Sequence, residues 1–192
     1  MTASANRKVE RSEILDYVTY EEKRPEIRAS AMKAKQLRRV HLGENLTFLF
    51  ENHETIRYQI LEMIRAERIV KEADIQHEIQ TYNELLGNDG EIGCTLLVEV
   101  EDPVEREKKL REWRGLPEKI YVKLEDGTKV YAKVDERQRD KNKISSVQFL
   151  KFACEGKVPV AVGCDFDGYK AETDLTSEQR KALEEDLKDQ NV

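Results

Sequence analysis

Glu67 lies near the end of the run ENLTFLFENHETIRYQILEMIRAERI, residues 44–69, and its position is chemically unusual. The spacing of Ile56, Ile60, Met63 and Ile64 predicts an amphipathic helix, and on its wheel Glu67 falls between Ile60 and Met63, inside the apolar stripe. A carboxylate held there costs several kcal/mol unless an arginine, a metal or a backbone amide satisfies it. His53 and Arg57 lie on one flank, Asn52 and Gln59 on the other, and Glu51 ends the preceding apolar run. Glu51, Asn52, His53, Arg57, Gln59 and Glu67 are therefore the candidates for a polar site at a strand–helix junction. The plainer reading is that the helix ends at Glu67, which then reaches water or a structural arginine.

Other reactive residue types are sparser. Asp74 and His77 have the acid-x-x-His spacing of a helical metal site once, with no second copy, and fit a solvated face better. His41 and His53 are isolated, so no metal is assigned. Asp165-Phe166-Asp167-Gly168 departs from a calcium loop, because its glycine comes two positions early, and reads as a turn after the last strand. Cys94, Cys154 and Cys164 are an odd set without CxxC spacing, and read as small buried hydrophobes. No Gly-rich phosphate loop or GxSxG motif is present, and no cofactor is assigned. Arg28, Lys33, Lys35, Arg38 and Arg39 form a basic run with no acid between Glu26 and Glu44. It is the candidate surface for an acidic protein partner, with a phosphate or nucleic acid at residues 28–39 as an alternative. The run has no aromatic residues for base stacking, and the net charge of −6 disfavours nucleic acid and anionic membrane.

These residues must be positioned by elements that the pattern also predicts. Residues 1–11 read as a frayed start and Ser12–Tyr20 as a short helix or packed arm. A helix over about 25–40 takes Pro25 into its first turn, and Gly43 ends it. A strand over Leu46–Glu51 leads into the junction helix, and a further helix carries Ile75, Ile79, Tyr82 and Leu86 up to the turn Gly87–Gly90. The second half reads as strand Cys94–Glu101, helix Val104–Trp113, a hairpin around Asp126-Gly127, a second hairpin around Glu155-Gly156-Lys157, and an acidic terminal helix from Ser177. The expectation is one α+β domain over residues 1–192. Its helical half, 25–90, contains one strand. Its β-rich half, 91–176, supplies most of an antiparallel sheet, and 177–192 form an acidic helix and tail.

Charged residues make up 38% of the chain and apolar residues 39%, which implies a folded protein with a heavily charged surface. MTASANRKVERSEIL has no apolar core of the kind a secretory signal needs, so none is expected, and no apolar run reaches the roughly 18 residues of a membrane span. With unpaired cysteines expected, a reducing cytoplasm is the predicted location.

Several blocks carry a family resemblance: Phe50-Glu51-Asn52, Ile56–Ile60, Glu62–Ile69, Tyr82–Leu86, Glu99–Pro103, Ser146–Phe149, and Tyr169–Thr173 with Leu175. Together they resemble a bacterial domain-of-unknown-function family of about this length. The resemblance brings no activity. It implies an encoded neighbourhood of rubrerythrin-like and iron–sulfur oxidoreductase proteins, hence a redox-linked partner. The resulting expectation is a cytoplasmic accessory protein that binds a protein partner; whether it is also an enzyme, and whether it forms a homo-oligomer, are left open. The rival is a metal- or small-ligand-binding enzyme built around Glu67.

Overall fold

A computed structural model of the chain describes residues 8–188. Asp16 starts the first helix by accepting hydrogen bonds from the backbone amides of Val18 and Thr19, and α1 then runs over Tyr17–Gln36. Pro25 lies well inside α1, not in a first turn. The interruption is tolerated because Glu21, whose carbonyl loses its donor, and Pro25 are both exposed. The chain next forms a hairpin of β1 (Arg39–Leu42) and β2 (Leu46–Phe50), so the expected helix over 25–40 gives way to strand at Arg39 and the helical half holds two strands instead of one.

Next come α2 (His53–Glu67), α3 (Glu72–Asn83), β3 (Glu91–Val98) and α4 (Pro103–Glu112). They are followed by β4 (Ile120–Leu124), β5 (Lys129–Tyr131), β6 (Lys133–Val134), β7 (Val147–Ala153), β8 (Pro159–Phe166), β9 (Tyr169–Asp174) and α5 (Ser177–Lys188). All strand pairs are antiparallel, in two sheets of order β1-β2-β3-β7-β6 and β5-β4-β8-β9. The expected α+β class holds.

The sheets face each other across one apolar core, in which Phe48, Leu96 and Phe152 of the first meet Ile120, Val122 and Val162 of the second. β1 lies against β8 and β9 at one edge and β5 against β7 at the other, so the pair is nearly closed. At the β1 edge Tyr169 donates a hydrogen bond to the Leu42 carbonyl (2.6 Å) and accepts one from the Asn45 amide (3.1 Å). Gly43, at φ 64°, makes room for that hydroxyl, since a Cβ there would stand 2.5 Å from it.

A second apolar cluster joins the helices, with Tyr20 of α1, Ile56, Ile60, Leu61 and Ile64 of α2, and Ile75 and Ile79 of α3. Residues 8–11, expected to fray, are anchored to it. Val9 is buried, and its amide and carbonyl both bond the Asn83 side chain. Residues 1–7 of the expected frayed segment and 189–192 of the expected tail lie outside the described residues.

The hairpin at Asp126-Gly127 forms as β4–β5. The one at Glu155-Gly156-Lys157 does not: β7 pairs with β3 and β6, whereas β8 pairs with β4 and β9. That turn carries the chain between the two sheets. Asp167-Gly168, expected after the last strand, instead joins β8 to β9.

Candidate functional site

The chain reverses character at Glu51 and Asn52, where β2 hands over to α2. Asn52 caps α2: its side chain accepts from the Thr55 amide (3.0 Å), and its own amide donates to the Thr55 hydroxyl (2.9 Å). The Thr55 hydroxyl donates in turn to Glu51 (2.5 Å), whose other oxygen accepts from Thr95 on β3 (2.9 Å). Glu51 is buried. Burial lifts its carboxyl above the usual value, while the two threonines and the charge of Lys35 work against the rise. Lys35 comes from α1, half-buried over the Tyr58 ring (5.1 Å to its centroid), and burial holds its ammonium below the ordinary value.

Asn52 also bonds Asp186 of α5. Asp186 is 1% exposed and Arg38 7%. The guanidinium grips the carboxylate at both oxygens (2.8 and 2.7 Å) and donates a third bond to the Ala34 carbonyl (3.0 Å). Burial pushes the Asp186 carboxyl up and the Arg38 charge pulls it back. The network thus links α1, β2, α2, β3 and α5. Its chemistry is mechanical: it closes donors on acceptors where two layers of the fold meet.

The six junction candidates do not form one site. Glu51 and Asn52 enter the network. His53 bonds Glu13 (2.8 Å), and Arg57 donates to the Glu13 carbonyl (3.0 Å), so both hold down the N-terminal arm. Gln59 bonds Tyr82 of α3. Glu67 is exposed at the end of α2, as the plainer reading had it, so it is not a carboxylate buried in the apolar stripe. The wheel placed it correctly by angle, but Glu67 is the last residue of α2 and lies past the reach of the core. The basic run also divides. Arg28, Lys33 and Arg39 are exposed, Lys35 is half-buried, and Arg38 is withdrawn from any partner surface by Asp186. Asp186 and Thr95 were missed by sequence reasoning. Of the three successive acids Glu184, Glu185 and Asp186, only Asp186 falls on the helix face of Leu183 and Leu187, and that is the signal that could have raised it.

At the C-terminal end of α2, Arg68 adopts left-handed backbone (φ 50°, ψ 48°). It lines a cavity of about 660 Å³ with Tyr17, Glu21 and Arg65, and another of about 530 Å³ with Glu67, Val70, Lys71 and His77. Asp74 and His77 are both exposed there. Among the described residues, no group of three or more His, Cys, Asp and Glu could hold a metal ion. A third cavity, of about 320 Å³, lies over Phe149, Leu150 and Lys151 of β7, walled by Leu85, Lys133 and by Arg137 with its partners Glu84 and Asp135.

The fold and its junction define an α+β protein in which buried polar bonds clamp a helical layer to a two-sheet β core. The chain belongs to the family described as Protein of unknown function (DUF3501), whose model matches residues 8–187. It is also similar to a solved structure, a novel protein of unknown function from Burkholderia pseudomallei K96243, at 29% identity and a TM-score of 0.87, over 94% of this chain and all of that one. No curated protein matches. Among the described residues no helix is long and apolar enough to cross a membrane.

Proposed function

We propose that this is a non-catalytic accessory protein that docks a protein partner at the α2–α3 corner. The observation that carries the reading is Arg68. It occupies a left-handed position that glycine would fill without strain, and keeping a side chain there costs about 1 kcal/mol. Beside it Val70 is 74% exposed and Lys71 is exposed. Val70 stands between Arg68 and Lys71, with Glu67, Asp74 and Glu78 along the same cavity, which suits a partner that offers one apolar side chain flanked by charges of both signs. The redox character of that partner, rubrerythrin-like or iron–sulfur, rests on the family resemblance. A cytoplasmic location is supported by three unpaired cysteines. Arg68→Gly separates the roles: it is expected to leave the protein as stable or slightly more so, yet to lose the partner in affinity capture, as Val70→Asp should. Equal recovery of the same protein by wild type and both variants would refute this surface.

A second reading has its own observation. Lys133 and Lys151 stand directly opposite on β6 and β7 in the 320 Å³ groove, an unfavourable like-charge pair. Glu91 partners Lys133 (3.0 Å), whereas among the described residues Lys151 is in no ion pair. A small anion with a flat apolar group would lie on Phe149 and meet Lys151. Titration with benzoate, followed by amide chemical shifts, is expected to perturb Phe149 and Lys151 in wild type and not in Lys151→Glu; shifts elsewhere only, or none, would dismiss it.

A further inference from the structure

We infer that two copies of this chain pair through the outward face of α1 as an antiparallel two-fold dimer. α1 turns Tyr20, Ala31 and Ala34 inward. Its opposite face presents Val18, Glu22, Pro25, Ala29 and Lys33, all exposed, and Leu37 follows at the C-cap. Val18 is 56% exposed and Leu37 41%. Along the helix the chemistry runs apolar, acid, small, small, base, apolar. A two-fold axis crossing α1 between Ile27 and Arg28 superposes that order on its own reverse. Val18 then meets Leu37 of the second copy, Glu22 meets Lys33, and Glu26 meets Ala29, with each contact made twice.

Two further features fit this occupant. Among the described residues neither Glu22 nor Lys33 is held in an ion pair within its own chain. Pro25 and Ala29 lie nearest the axis, where small side chains let two helix backbones approach. Val18 and Glu22 also line the 660 Å³ cavity shared with Arg68, so the face adjoins the corner proposed for the partner, and the charge exchanges at Glu22 and Lys33 read the dimer separately from Arg68→Gly. A single helix face buries a modest area, so the association is expected to be reversible, with a dissociation constant on the order of micromolar.

Sedimentation equilibrium of the full chain over a range of concentrations tests it, with circular dichroism confirming that each variant is folded. Wild type is expected to dimerise. Glu22→Lys alone and Lys33→Glu alone set like charges opposite each other twice, and each should weaken association about tenfold. The double exchange, Glu22→Lys with Lys33→Glu, should restore it, and so should an equimolar mixture of the two single variants. A wild type that stays monomeric at its highest soluble concentration overturns the proposal. So do single variants that dimerise like wild type, or a double exchange as weak as the singles.

Discussion

A guanidinium shut away from water is tolerable only while its carboxylate stays in place. Arg38 donates three bonds from a nearly closed site, two of them to Asp186. Asp186→Ala is therefore expected to cost about 3–5 kcal/mol in urea unfolding, and pairing it with Arg38→Met should recover much of the loss. A cost below about 1 kcal/mol would mean that water reaches the pair. Glu51 makes a different prediction. Its carboxyl holds its proton more tightly folded than unfolded. The stability it contributes is complete below the usual carboxylate value and is lost as pH rises through the raised folded value. Glu51→Gln removes that loss. The variant should thus gain on wild type as pH goes from about 4 to about 8, and a difference that stays flat with pH would contradict the raised value. Both residues show how far local reading reaches. Glu51 and Asn52 were legible as polar residues at the junction because the apolar strand pattern stops where the helical one begins. Their partners on α5 and β3 were not, because nothing local relates residue 52 to residue 186.

At the scale of elements, closure of the two sheets depends on Tyr169. Its hydroxyl ties β9 to the β1–β2 turn, and its ring meets Trp113 edge-on at 5.2 Å. Tyr169→Phe keeps the ring and deletes the bonds. It is expected to cost about 1–2 kcal/mol and to speed amide exchange in β1 and β9 ahead of the remaining strands; uniform exchange would argue against a local lock. Helices and the Asp126-Gly127 hairpin were readable because their signals lie within a few residues. The turn at Glu155-Gly156 offered similar chemistry and a wrong pairing, since a tight turn does not say whether the next strand stays in the same sheet. Gly93 belongs to the same class. A Cβ there would stand 1.9 Å from the Leu85 carbonyl, a contact between α3's exit and β3 that no pattern announces.

At the scale of the whole molecule the three thiols are the clearest probe. All are buried and unpaired, and burial pushes Cys154 up to about 12 and Cys94 well above its usual value. None should react with a thiol-specific disulfide reagent in the native state, and all three should react in denaturant; a fast-reacting native thiol would show that the core opens. The sequence by itself determined the α+β class, most element positions, the strand–helix junction at Glu51–Asn52 and the apolar nature of the cysteines, because periodicity, turn chemistry and hydropathy act over one or two turns of chain. The tertiary structure alone decided that Glu67 faces water, that Arg38 leaves the basic run for Asp186, and that β7 and β8 part into different sheets. Those outcomes depend on which distant surfaces come together, and burial is a property of that assembly, not of any stretch of residues.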